Sequence, residues 1–571
     1  MRLHIIPILA VVLITSLLLS DCGSATRSSN DLGAGLGGDG GAGGGGGAGA
    51  GGGAGGGGGG SGAALTIDGV LTQHGDNERT GAYTSETTLA PSNVNSNQFG
   101  KKFTYDVDGE VVAQPLIATG VDINGAKKNV LIVATEHDSV YAFDADSKQA
   151  PFWKASFIDA SIGNTTFPVG STLDFACCFA PEIGITGTPV IDPKTGTIYV
   201  VARTVEGGKD VQKLHALDIR NGSERSGSPV AIQASVPGST PDAVNGMIAF
   251  NPGIQNQRPG LLLVNGLLYI AWGSHNDRIP YHGWVMAYTV DTLKQVGVFI
   301  TTPEGYPSGP IPANGAAGIW MSGGGLSADS GGNVYVTVGN GSMTVDQGGH
   351  SYANAFLKFG ASSNALKLAD YFEPFDALSQ NVNDMDLGTG AAVVIDQLGA
   401  VPHLVVSTAK NGTIYLINRD NMGKYHAGDN SHAAQMVPNA VATYVRSSPA
   451  YWNGTYYTSS LNDHLKAFTF SNGRLPSSPT SQTSMTFPWP GPTPTISSNG
   501  TSNGIVWALQ HSGSEDVLFA FSADLTRVLY NSQQAGSRDT GPPGVRFAVP
   551  VVINGKVYIG GRSQVVVYGL L

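Results

Sequence analysis

The residues of this sequence that could do chemistry are few and far apart, and the adjacent pair Cys177-Cys178 is the sharpest of them. Neighbouring cysteines close a ring only by straining the backbone, and strained devices cluster at functional sites; two small buried hydrophobes are the plainer reading. Trp320 opens the glycine-rich run Trp320-Met321-Ser322-Gly323-Gly324-Gly325. A flat indole there can stack on a planar ring or simply fill a core. Asn340, in Val338-Gly339-Asn340-Gly341, and Asp277, in Ser274-His275-Asn276-Asp277-Arg278, carry the oxygen atoms that hard cations take, although Asn-Gly is equally a turn between strands. Asp386, in Asn383-Asp384-Met385-Asp386, could accept a proton. With a pKa of ~4 it is a weak base in water; desolvation would raise that value and a nearby cation would lower it. An acid in an Asx turn is the plainer reading. Lys410, in Ala409-Lys410-Asn411-Gly412, is a candidate positive partner or a surface lysine.

Several other chemistries find no support. The twelve His form no His-Glu-x-x-His, and no Cys pair has zinc spacing. The glycine runs do not lead into a strand-helix unit, so neither a dinucleotide fold nor a P-loop is supported. No Cys-x-x-Cys-His is present to attach a c-type haem.

What must position these residues is legible from composition and periodicity. The chain has 571 residues, of which 80 are Gly, 31 basic, 42 acidic and 3 Cys. A charged share of 13% is too small to solvate many helix faces, and three cysteines do not make a disulfide scaffold. The net charge of −11 argues against a phosphate backbone as partner. Arg2 precedes an apolar run over 5–19 that reads as a secretory leader, 1–21, ending Leu19-Ser20-Asp21-Cys22. This resembles a bacterial lipobox, which would put lipid on Cys22 of an exported periplasmic or cell-surface protein, anchored in the outer membrane; Asp21 departs from the small uncharged residue expected there. Residues 22–64 are mostly Gly and Ala, a flexible tether of about 30 Å root-mean-square span. Over 65–571 short runs rich in Val, Ile and Tyr alternate with Gly, Asn and Asp turns. Eight two-strand units recur, from 129–144 and 196–218 through 267–288, 333–359, 403–417, 456–468 and 506–521 to 556–568. Such repetition predicts an all-β, eight-bladed β-propeller, with 103–117 completing the last blade. A pair of β-sandwiches is the structural alternative.

Strand ends of the form Ala-x-Asp followed by Trp or Gly (Phe143-Asp144 before Trp153, Leu217-Asp218 before Gly222) resemble the tryptophan-docking repeats of the quinoprotein alcohol dehydrogenase superfamily. The resemblance implies pyrroloquinoline quinone and calcium as cofactors. It implies a vicinal disulfide of Cys177-Cys178 on one face of the quinone and Trp320 on the other. Asn340, Asp386 and Asp277 would be calcium ligands, Asp386 the base that takes the substrate hydroxyl proton, and Lys410 the cation on the quinone oxygens. Calcium would polarise the quinone carbonyl and hydride would pass to the cofactor. Two positions depart from the family: Ile183 stands where it has an arginine, and Val112, with Glu110 nearby, where it has an acid. The partners implied are a small neutral alcohol or sugar and an external electron acceptor. The alternative is a non-catalytic propeller lipoprotein that binds protein partners as an assembly scaffold. Neither reading involves nucleic acid, and the membrane enters only through the lipid.

Overall fold

A computed structural model of the chain describes residues 66–168, 181–275, 277–306, 315–361 and 366–571. The expected leader and nearly all of the tether, with Cys22, and the Cys177-Cys178 pair lie outside the described residues. Each of the first seven expected units is an antiparallel pair at the centre of its own sheet, and the eighth falls on one long strand. They are Ala126–Ala134 with Ser139–Asp144, Thr197–Glu206 with Lys209–Asp218, Leu267–Ser274 with Trp284–Thr289, and Val334–Thr337 with Phe356–Phe359. Then follow His403–Thr408 with Ile414–Asn418, Thr455–Thr458 with Asp463–Thr469, Ser502–Gln510 with Val517–Ser522, and Val551–Ile553 with Lys556–Leu570. The turns are made by residues that tolerate positive φ: Asn124 and Gly125, at 51° and 85°, reverse the chain between Leu116–Ile123 and Ala126–Ala134. Central strands carry long apolar runs because the sheets pack face to face. Leu267–Ser274 is buried at every position, and its Leu268, Ile270 and Trp272 share a core with Tyr199 and Val201 of the preceding sheet.

Successive sheets are joined at their inner edges into a closed circuit, and the two ends of the chain complete the last of them. Phe99–Glu110 pairs with Lys556–Leu570, so no edge is left open at the seam. Two details differ from expectation. Only the first part of 103–117 joins the last sheet, because Leu116–Ile123 pairs with Asp68–Val70 and Ala126–Ala134 in the first. The final unit is one long strand rather than two: its first half pairs with Val551–Ile553 and its second half with the N-terminal strand, which removes the need for a turn. Tryptophans bridge neighbouring sheets as the Ala-x-Asp repeats suggest. The Trp153 indole donates to the Ile219 carbonyl, 2.9 Å away, and lies so close over Gly222 that a Cβ there would stand 2.4 Å from the ring.

A feature the periodicity did not announce runs through the middle of this ring. Among the described residues, the segment 67–86 meets in chain order each of the eight sheets of three or more strands. Asp68–Val70 pairs with the first, and the Leu71 carbonyl accepts from Ile191 of the second. The Asn77 side chain donates to Leu263 of the third, and the Asn77 carbonyl accepts from Ala328 of the fourth. The carbonyls of Glu78, Thr80 and Gly81 accept from Val394, Tyr451 and Ile496 of the fifth, sixth and seventh. Glu86 accepts from the Gly555 amide of the eighth. At its centre Arg79 is fully buried, and its guanidinium donates to the carbonyls of Leu326, Gln73, Asp76 and Leu261 and to the Thr72 hydroxyl.

Candidate active site

Above that lacing segment the inner strand ends converge. Asp386 follows the short helix Ala377–Val382, and its backbone carbonyl accepts from the Lys410 amide, so two successive sheets fix the relation between them. Asp386 Oδ1 accepts from the Asn340 amide at 2.7 Å, and its Oδ2 lies 3.3 Å from Lys410 Nζ. Lys410, 1% exposed, reaches Asp384 Oδ2 at 2.7 Å as well. Asn340 Nδ2 donates to Asp384 Oδ1 at 3.0 Å, while Asn340 Oδ1 accepts from Asn354 at 3.2 Å. Burial opposes the lysine charge, but Asp386 and Asp384 outweigh it and hold the Lys410 pKa above its ordinary value. The result is a proton acceptor oriented by a backbone amide, next to a fixed ammonium.

Trp320 stands beside this cluster. A Cβ on Gly339 would lie 2.8 Å from the indole and 3.1 Å from Asp386 Oδ1, and one on Gly273 would lie 2.8 Å from the same indole. Glycine is therefore required on both strands by close approach to the ring. Tyr281 meets the indole edge to face at 5.8 Å and donates to Asp277 Oδ1 at 3.0 Å, which brings Asp277 to the site's edge. The Arg258 guanidinium lies over the Trp320 ring, 5.4 Å from its centroid, and 5.1 Å from that of Phe547. Arg546 lies over Trp489 at 4.0 Å, and its buried Nη1 makes no hydrogen bond. Burial pulls Arg258 down to about 10; Asp277 counters this, and Arg446 and Arg546 add to it. Arg546 is likewise lowered to about 10, by burial and then Arg446 against the attraction of Glu110. In a chain of net charge −11, Arg258 thus lies over the Trp320 indole within electrostatic reach of two further arginines, Arg446 and Arg546.

The buried Glu136 carboxylate accepts from the Gly184 amide at 2.7 Å and the Thr186 hydroxyl at 3.1 Å, and burial pushes its pKa up to about 8. Arg203 lies 3.6 Å above the Phe167 ring. The two positions that depart from the family, Val112 and Ile183, pack with Val545 as an apolar patch.

The floor below Trp320 is the glycine run. Gln73 of the lacing segment donates to the Gly323 carbonyl, and a Cβ on Gly325 would stand 3.0 Å from Arg79. Gly324 has no room for one either, with Ala391 at 2.3 Å and Ser448 at 2.4 Å.

No family model and no curated protein matches the chain. Solved structures do. Similar ones are quinohemoprotein alcohol dehydrogenase from Comamonas testosteroni, with TM-score 0.57 at 14% identity over 88% of this chain and 80% of that one, and quinohemoprotein alcohol dehydrogenase ADHIIG from Pseudomonas putida HK5, with TM-score 0.55 at 14% identity over the same shares. The fold is that of a quinoprotein alcohol dehydrogenase-like β-propeller. A europium-containing methanol dehydrogenase is also similar, with TM-score 0.57 at 13% identity over 88% of this chain and 98% of that one.

Of the residues singled out from sequence, the propeller brings Asn340, Asp386 and Lys410 into direct contact, sets Trp320 against them and places Asp277 one tyrosine away. Sequence reasoning missed Asp384, which makes the shorter of the two contacts to Lys410, and Arg258, Arg446 and Arg546. Each arginine sits just before an innermost strand, Leu262–Val264, Ala450–Trp452 and Val551–Ile553. That repeated placement was the available signal.

Proposed function

We propose that this chain is an eight-bladed propeller whose axial site binds a planar, anionic cofactor of the quinone class and oxidises an alcohol or sugar hydroxyl. The observation that carries this reading is Arg258 over the Trp320 indole, within electrostatic reach of Arg446 and Arg546: an aromatic surface with a guanidinium beside it to meet a carboxylate. Such a cofactor, when bound, supplies a hydride acceptor. Asp386 Oδ2 would take the proton from the substrate hydroxyl oxygen while the carbon bearing that hydroxyl gives up a hydride to the bound acceptor, leaving an aldehyde, ketone or lactone. The Asn340 amide keeps Asp386 from rotating. Lys410 pairs with Asp384 and Asp386 and offers an N–H to a developing oxyanion. The cofactor must then be reoxidised by an external acceptor.

Calcium at Asn340, Asp386 and Asp277 would have to share this space with Lys410, whose ammonium already pairs with both Asp384 and Asp386. As they stand these groups do not fit a divalent cation, and no step above depends on one. A second reading, a non-catalytic scaffold for protein partners, is favoured by the apolar patch of Val112, Ile183 and Val545 where the family has charged contacts. In either case the leader and Cys22 would deliver a lipid-anchored protein to the periplasm or cell surface.

Titration of the purified chain with pyrroloquinoline quinone, followed by cofactor absorbance and by dye reduction with alcohols and aldoses, separates the readings. Saturable binding that weakens in Arg258→Ala supports the first; no binding with or without calcium sinks it.

A further inference from the structure

Away from the axis, the loop after Ile414–Asn418 of the fifth sheet crosses onto the outer edge of the fourth. Its short strand Lys424–Tyr425 pairs in parallel with Leu368–Glu373, with Phe372 opposite Lys424 and Glu373 opposite Tyr425. Immediately beyond that crossing the chain reads His426-Ala427-Gly428-Asp429-Asn430-Ser431-His432. Gly428, at φ 98°, lets it double back, and the Asn430 side chain accepts from the Phe375 amide, so both ends of the loop are tied to the fourth sheet. One ligand atom each of His426, Asp429 and His432 lies within 4.8 Å of the others. Among the described residues this is the only group of three or more His, Cys, Asp or Glu side chains so arranged.

From this we infer that the loop binds a divalent transition metal of the zinc class through His426, Asp429 and His432, stapling the fifth sheet's outer loop to the edge of the fourth. Two imidazoles and a carboxylate suit such ions and not calcium, which prefers oxygen throughout. The His432 ring is the second observation: neither of its nitrogens, both buried, makes a hydrogen bond. It stacks between Phe372, at 4.7 Å, and His426, at 4.2 Å, and packs against the Gly423 backbone, where a Cβ would stand 2.7 Å away. Its position is therefore set before any metal arrives. The Ser431 amide and hydroxyl hold Asp429 Oδ1, at 2.9 and 2.7 Å, leaving Oδ2 to ligate. Tetrahedral ligands with bonds of ~2.1 Å stand about 3.4 Å apart. Closing from 4.8 Å to that spacing asks only for movement of His426 and Asp429, both exposed. Three protein ligands leave the remaining coordination to water or to a neighbouring molecule.

The full chain, stripped with a chelator, is titrated with Co2+, whose visible spectrum reports imidazole ligation, and with Zn2+ by calorimetry. One site per chain is expected, with a rise in melting temperature on adding Zn2+. His426→Ala and His432→Ala should each weaken binding by about tenfold or more, on the scale of losing a supporting group at a metal site. His403→Ala, a histidine paired with Asp420 on the same sheet at 2.9 Å, should leave binding unchanged. His426 is exposed, so its replacement leaves the fold intact. Equal Zn2+ affinity in wild type and the His426→Ala/His432→Ala double variant, or no binding to wild type at millimolar Zn2+, would overturn the inference.

Discussion

Two layers of arginine, one fully buried and one half-buried, sit one above the other on the axis of this propeller, and they are used in opposite ways. Arg79, in the lacing segment, has every donor group engaged by carbonyls or a hydroxyl from three different parts of the chain. Arg258 and Arg546, on the other side of the Gly323-Gly324-Gly325 floor, rest on aromatic rings, and burial, with Arg446 adding to it, lowers the pKa of both. A buried cation with saturated hydrogen bonds is cement. One left stacked and crowded by like charge is a site that an anion would relieve.

Substitutions can break this contrast, and the largest effect belongs to the acid next to the arginines. Asp386→Asn should lower turnover by about 10²–10⁴-fold while leaving quinone binding nearly intact, since the amide keeps the shape but takes up no proton. Steady-state dye reduction alongside cofactor titration checks this, and joint loss of both would assign Asp386 a structural role. Arg79→Ala should cost about 3–5 kcal/mol, because it leaves several buried carbonyls without partners. Arg258→Ala should leave stability within about 1 kcal/mol of wild type, or raise it, on relief of repulsion. Equal losses in urea unfolding would erase the distinction between the layers.

The third effect is on pH dependence. Glu136 has a folded-state pKa raised to about 8 by burial, above the ~4.3 expected when unfolded. The folded chain thus binds the extra proton, and stability should fall as pH rises from about 4.3 to about 8 and level off above that. At about 1.4 kcal/mol per unit the ceiling is a few kcal/mol. Glu136→Gln should flatten that slope in melting temperatures taken from pH 5 to 9; an unchanged slope would mean another group carries it. The smallest effect is on affinity: Arg258→Ala should weaken quinone binding about tenfold, a cation-π contact and one charge being worth one to two kcal/mol. Unchanged affinity would show that the upper arginines do not face the ligand.

The blades themselves were readable because each depends on neighbours in sequence. A Val, Ile and Tyr run, an Asn or Gly at positive φ and a second run specify a hairpin wherever they occur, and Trp153 with Gly222 specifies how one sheet meets the next. The site was half readable for the same reason. Asp386 and Lys410 each lie in a loop that leads into a strand, and those loops could be recognised, but nothing local says that Asp384 makes the shorter contact to Lys410.

The sequence by itself determined an all-β repeat, its turns and the order of its strands, since these rest on period-two patterning and backbone preferences that act within a few residues. Only the tertiary structure decided that 67–86 laces all eight sheets, that Arg258 lies over Trp320 within electrostatic reach of Arg446 and Arg546, and that His426, Asp429 and His432 meet. Those facts depend on ring closure, which brings together groups hundreds of residues apart through contacts no local pattern encodes.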